Sequence, residues 1–190
     1  MAHHYTPLPV ARPLPAAHQQ PRCVAAREFL TDEWRCLARA GDLNDFEAIW
    51  RQKMGWFEEP NQRRGGWSGV SRLAVGLPDG SQTAVFIKRQ QNHVTRTWRH
   101  PVFGISTFRR EFENLQWLKA AGVPTLDVLY CAERVVGGNR QAILISRELT
   151  GYAALEDCMA QWRQHGFPKR TVWHQLIHQL AGTARQMHRH

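Results

Sequence analysis

The sequence predicts an α+β domain. Strand-like segments come as hairpins separated by helical sequence, in the order helices, hairpin, helix, hairpin, helices. A parallel sheet would instead need strands and helices in alternation. Glycine-bearing turns fall where each hairpin must reverse, at Leu77–Gln82 ("LPDGSQ") and at Gly137-Gly138-Asn139. A hydrophobic fraction of 43% with eight tryptophans gives most of the 190 residues enough material for a core.

The elements follow in chain order. Residues 1–22 are rich in Pro, Ala and His with few large apolar side chains. They cannot offset the entropy of ordering and are expected to be a flexible tail. Residues 23–62 read as a helical segment. A first helix from about Ala26 to Ala40 carries Leu30, Trp34 and Leu37 at helical spacing and ends at Gly41. A second starts near Asn44, with Glu47 in capping-box position.

Residues 63–150 carry the strands. Trp67–Leu77 alternates loosely, and "TAVFIKR", Thr83–Arg89, is rich in β-formers, so the two make a hairpin. Arg89–Ser106 reads as a long basic loop, for which a functional and a merely solvated role both stay open. The next helix, about Thr107–Ala121, has Thr107 as a candidate cap, Gly122 past its end and Pro124 beyond. Val128–Glu133 and Gln141–Arg147 form the second hairpin. Residues 151–190 turn helical, and a final helix from about Thr171 carries Trp173, Leu176, Ile177, Leu180, Ala184 and Met187 on one face.

Composition limits the chemistry. Net charge is +9, which favours anionic partners without choosing among nucleic acid, lipid and phosphorylated metabolites. The cysteines, Cys23, Cys36, Cys131 and Cys158, show no C-x-x-C pair and read as idle thiols of a reducing compartment. His174 and His178 lie four apart on a helix, but no acidic residue follows Asp157, so exposed histidines are the better reading than a metal site. No signal peptide or bilayer-length apolar run is present, which predicts a cytoplasmic protein able to dock on a membrane face.

Three features then line up. Gly65, Gly66 and Gly69 could let backbone N–H groups approach phosphate oxygens. Lys88 ends an apolar strand, on the face shared by Ala84 and Phe86, where a lysine needs a partner or a route to water. In the helix, Phe108, Phe112, Leu115 and Leu118 form a stripe at about 100° per residue. Glu111 falls inside it, and Glu113 falls on the opposite side. A carboxylate within an apolar stripe needs a cation, so Lys88 is expected to pair with Glu111. Glycine hairpin, strand lysine and helix glutamate are together the layout of a kinase N-lobe.

The chain resembles the lipopolysaccharide kinase family of the Kdo/WaaP type, in particular its InaA-like branch. The resemblance rests on "EEPNQRRGGWSGVSR", "HPVFGISTFRREFENLQWLKAAGVPT" and "AILISRELTGYAAL" and runs from about Ala40 to His190. It implies a protein-kinase-like fold and phosphoryl transfer from ATP, with Mg, to a lipopolysaccharide core sugar. By position, Gly65, Gly66, Trp67, Ser68 and Gly69 would cover the phosphates. Lys88 would grip them and Glu111 would hold Lys88. Glu148 and Leu149, in the linker from Arg147, would offer backbone groups to adenine. Arg96, Arg99 and His100 could face an anionic substrate, and peripheral membrane contact, at the inner face of the inner membrane, suits such an acceptor.

The resemblance also exposes a gap. Kinases need an aspartate to orient the acceptor and carboxylates to hold magnesium. From Cys158 to His190 there is no Asp or Glu. The expectation is an N-lobe with the first helices of an incomplete, truncated C-lobe, inactive by itself and without metal ligands. Phe86, two residues before the lysine where kinases usually carry alanine, could crowd the nucleotide. The alternative is a non-catalytic kinase-fold binding or stress-response module. A nucleic-acid binder has only charge in its favour.

Overall fold

The computed structural model describes residues 28–189 except 64, 78, 79 and 99. The expected tail, Cys23 and the start of the first expected helix lie outside the described residues. In chain order the elements are β1 (Glu28–Leu30), α1 (Asp32–Ala40), α2 (Phe46–Arg51), β2 (Glu58–Arg63), β3 (Gly66–Gly76), β4 (Gln82–Gln91), β5 (Val94–Thr97), β6 (His100–Ser106), α3 (Thr107–Ala120), β7 (Val128–Val136), β8 (Asn139–Arg147), α4 (Leu155–His165) and α5 (Arg170–His188).

They divide into two compact units. The first holds the described residues up to Glu113 together with Asp127–Glu148. Its centre is an antiparallel sheet in the order β1-β7-β8-β4-β3-β2. Strand alternation gives the sheet two faces with different fates. Val85 and Ile87 of β4, Ile143 and Ile145 of β8 and Val75 of β3 point to one face. There they pack with Trp34, Leu37, Phe46 and Ile49 of α1 and α2. Ile49, Val85, Ile87, Ile143 and Ile145 are fully buried, and each such side chain contributes about 1.5–3 kcal/mol. The opposite face carries Phe86, Lys88, Leu144 and Ser146, paired in register.

Several expectations change here. Glu28–Leu30 is a strand on β7, not helix. Helix α1 begins at Asp32 because Thr31 Oγ1 accepts the Trp34 N–H at 3.1 Å, while the same hydroxyl donates to the Leu129 carbonyl. Helix α2 is capped by Asp45, whose Oδ1 accepts the Ala48 N–H at 2.8 Å, rather than by Asn44. Glu58–Arg63 is an edge strand within the stretch expected to be helical. The supposed basic loop 89–106 continues β4 and then forms the β5–β6 hairpin. Ser106 caps α3 by accepting the Arg109 N–H at 3.0 Å. Thr107 instead spends its hydroxyl on Gln90. The β7–β8 turn has Gly137 and Gly138 both at positive φ, as a two-residue hairpin with native twist requires.

The second unit holds Asn114–Leu126 and the chain from Leu149 onward. Trp162 of α4 packs edge-on against Trp173 of α5 at 5.7 Å. Gln186 of α5 donates to the Ala121 carbonyl at 3.0 Å. Among the described residues no helix is long and apolar enough to cross a membrane.

Candidate functional site

The site grows from β4. Period-two alternation sends Lys88 to the face away from the α1–α2 core and Arg89, its neighbour, towards it. Lys88 Nζ lies 2.6 Å from Glu111 Oε1 of α3. The side chains are 25% and 33% exposed, so the pair is partly desolvated yet reachable from solvent, a setting in which a cation can meet an anionic ligand. Glu111 is flanked along α3 by the buried Phe108 and Phe112. Glu113 turns outward and pairs with Arg109 at 2.9 Å.

The glycine stretch is placed differently from the expectation. Gly66, Trp67, Ser68 and Gly69 lie within β3, in register with Arg63, Gln62 and Asn61 of β2 on one side and with β4 on the other. Gly65 is the exposed glycine of the turn and has φ +73°. A Cβ on Gly66 would collide with the Gln91 carbonyl and the His93 ring, and one on Gly69 would meet the Trp56 ring at 2.5 Å. Two of the three glycines are therefore accounted for by packing. Trp67 also departs from its expected place: its ring packs on Trp50 at 5.4 Å and Trp56 at 5.8 Å, on the core side of the sheet. Of the five residues expected to cover phosphates, packing leaves unexplained Gly65, in the turn, and Ser68, which shares the Lys88 face by alternation.

The linker residue Glu148 donates its N–H to the Ala84 carbonyl at 3.0 Å. That donor is thus committed within the sheet and is not offered to a base, contrary to expectation. Its carboxylate takes a two-pronged bond from Arg72 of β3, with Nε and Nη2 each 2.6 Å from one oxygen. These hydrogen bonds hold the Glu148 carboxyl below the usual carboxylate range. Sequence reasoning missed Arg72. The available signal was parity, since Arg72 pairs with Phe86 across β3–β4 and so shares the Lys88 face. Phe86 stands edge-on to Phe57 with ring centroids 5.0 Å apart. Leu149, in the second unit, is exposed.

Arg89 is only 6% exposed. Its Nη1 donates to the carbonyls of Trp50 and Gln52 at 3.1 and 2.8 Å, at the C-terminal end of α2. Its guanidinium also lies 4.9 Å over the Trp56 ring, and burial lowers its pKa. This second cation was not singled out in the sequence, although it adjoins Lys88. Arg96 is exposed on β5, and His100 opens β6 with Nδ1 3.3 Å from Thr97 Oγ1. Arg99 lies outside the described residues. Among the described residues no three His, Cys, Asp or Glu side chains come together to hold a metal. His174 meets Arg170, whose Nε is 3.4 Å from the imidazole Nε2.

The profile of the lipopolysaccharide kinase (Kdo/WaaP) family matches residues 47–190. Protein InaA of Escherichia coli (strain K12) is 28% identical over 125 residues, covering 66% of this chain and 55% of InaA. The chain thus spans about half the length of that curated relative. A solved structure, WaaP in complex with acyl carrier protein, aligns with a TM-score of 0.46 at 20% identity, covering 76% of this chain and 49% of that one.

Proposed function

The chain belongs to the lipopolysaccharide kinase (Kdo/WaaP) family, and from that premise we propose that it binds ATP on the Lys88 face of its sheet, for phosphoryl transfer to a lipopolysaccharide core sugar. The observation that carries the proposal is the 2.6 Å Lys88–Glu111 pair between a central strand and the following helix. In kinases such a pair positions the lysine on the nucleotide phosphates. Lys88 binds the phosphates, Glu111 fixes the ammonium, and Gly65 with Ser68 covers them. The base lies against Phe86. Arg96, Arg99 and His100 supply positive charge for an anionic core intermediate. The work is done in the cytoplasm, at the inner face of the inner membrane.

In kinases the residues that orient the acceptor and hold magnesium follow the first helices of the C-lobe, and no Asp or Glu follows Asp157 in this sequence. We therefore assign these 190 residues nucleotide binding and no phosphoryl transfer of their own. The test is nucleotide affinity measured by calorimetry. Lys88→Ala and Glu111→Ala should each weaken ATP binding by about ten- to a hundredfold, the worth of a charge-assisted hydrogen bond, whereas Glu113→Ala should leave it unchanged. Equal losses from all three would overturn the face assignment.

A second reading, a kinase-fold module that binds a partner without using ATP, is favoured by one feature. Phe86 with Phe57, and the Arg72–Glu148 pair, occupy the same sheet face where a base would lie. If Phe86→Ala creates ATP binding that the parent chain lacks, this second reading replaces the first.

A further inference from the structure

We propose that the tip of the β5–β6 hairpin is an interfacial docking element that seats the protein on an anionic phospholipid bilayer. Three large apolar side chains stand in solvent within six residues: Trp98 is 84% exposed, Val102 67% and Phe103 82%. Single exposed apolar residues are ordinary, but three within six residues of one hairpin favour a contact surface. The sequence from Val94 to Ser106 contains Arg96, Arg99 and His100 and no acidic residue. Tryptophan with phenylalanine beside basic side chains is the composition that suits the boundary between headgroups and acyl chains.

The exposure belongs to a fixed scaffold, because the base of the hairpin is pinned. Gln90, fully buried, donates to the His93 carbonyl at 2.6 Å and accepts from the Phe108 N–H at 3.2 Å. The Ser106 N–H donates to Glu133 at 3.0 Å, and Arg140 donates to the Gly104 carbonyl at 2.9 Å. Ile105 and Ser106 are buried while Val102 and Phe103, three residues earlier, are not. A soluble anion would engage the cations and have no use for the rings. A bilayer engages both, through headgroup charge and through burial of the aromatics at the acyl boundary. The inference concerns where the chain sits and stands apart from the nucleotide reading.

The test is co-sedimentation of the 190-residue chain with vesicles of phosphatidylglycerol and phosphatidylethanolamine, against vesicles of phosphatidylcholine alone. The chain should bind the anionic vesicles. Trp98→Ser with Phe103→Ser should weaken binding roughly tenfold or more, with the melting temperature kept because both side chains are exposed. Arg96→Gln should weaken it about fivefold at low ionic strength, and less as salt rises. Absence of binding by the parent chain overturns the proposal, as does a double variant that binds equally well. Loss in Arg96→Gln alone would mark a soluble-anion site. A dimer that dissolves in the double variant, without vesicle binding, would assign the tip to a second copy. ATP affinity read on the same samples separates the two proposals: Lys88→Ala should keep vesicle binding, and the double variant should keep ATP binding.

Discussion

Gly69→Ala tests why the glycine stretch is glycine. An added Cβ would sit 2.5 Å from Trp56 Cζ3 and 2.8 Å from Cε3. Carbon atoms in good contact stand about 3.5–4.0 Å apart, so an overlap of roughly 1 Å must be relieved. The ring has little room to yield. Trp67 stands edge-on to it at 5.8 Å, and the Arg89 guanidinium covers it at 4.9 Å while tied to the Trp50 and Gln52 carbonyls. Overpacking of this kind costs about 1–3 kcal/mol. For a chain of this size each kcal/mol lowers the melting temperature by about 2–4 °C, which gives a loss of roughly 2–12 °C. Gly76→Ala is the control: it lies on the same strand, and a Cβ there meets nothing within 4 Å. The assay is thermal unfolding followed by circular dichroism. If the two variants melt together, Gly69 is not held by Trp56, and a ligand-side reason for the glycine regains its place.

Burial pushes the Cys131 thiol up to about 12, whereas Cys36 is exposed. Iodoacetamide at mildly alkaline pH should therefore label Cys36 and leave Cys131 unmodified until the chain unfolds, as read by peptide mass spectrometry. The Glu148 carboxyl is held low by its Arg72 hydrogen bonds, so its contribution to stability is complete above the usual glutamate range and disappears as pH falls through the lowered value. Glu148→Gln should accordingly be less stable than the parent near neutrality, and the gap should close on acidification, measured by urea unfolding across pH. Arg89→Lys should destabilise by about 1–3 kcal/mol, because one compact ammonium replaces a planar fork that reaches two carbonyls and lies over an indole; an unchanged urea midpoint would refute the role given to that guanidinium.

What the sequence made legible was local and periodic. Strand alternation put Phe86 and Lys88 on one face, and helical spacing put Glu111 among Phe108 and Phe112 and turned Glu113 away. Those are the relations seen in β4 and α3. The α+β order, and hairpins ending at Arg147, were likewise written in turn residues. Harder to read were elements whose reason is a distant partner. Glu28–Leu30 has no strand signature of its own and is a strand because β7 lies beside it, about a hundred positions on. Glu58–Arg63 is polar and contains Pro60, features that edge strands tolerate and that conceal them in a sequence. The β5–β6 hairpin was masked by Pro101, Gly104 and its basic residues. Its base depends on Gln90, Glu133 and Arg140 from three other strands.

The two adjacent cations of β4 show how far one local rule reaches. Lys88 and Arg89 differ by a single step of a period-two strand, and that step sends them into opposite surroundings. Arg89 enters the packed side of the sheet, where its Nη1 donates to two carbonyls at the end of α2 and its guanidinium lies over the Trp56 ring. A fixed, planar, permanently charged group suits that structural task. Lys88 lies on the other side, partly exposed and held by one carboxylate of α3, the helix that the β5–β6 hairpin leads into. A lysine ammonium has three donors, and Glu111 Oε1 takes one of them at 2.6 Å. The donors left over are what the proposed phosphate contact would use, and the strand register sets this lysine, and not its neighbour, on the Glu111 side of the sheet. A one-residue slip in β4 would exchange the two faces, turning the lysine towards the α1–α2 core and the arginine towards Glu111. The β3–β4 ladder, which runs in unbroken register from Trp67–Gln91 to Gly76–Gln82, is therefore as much a part of the candidate site as the side chains it presents.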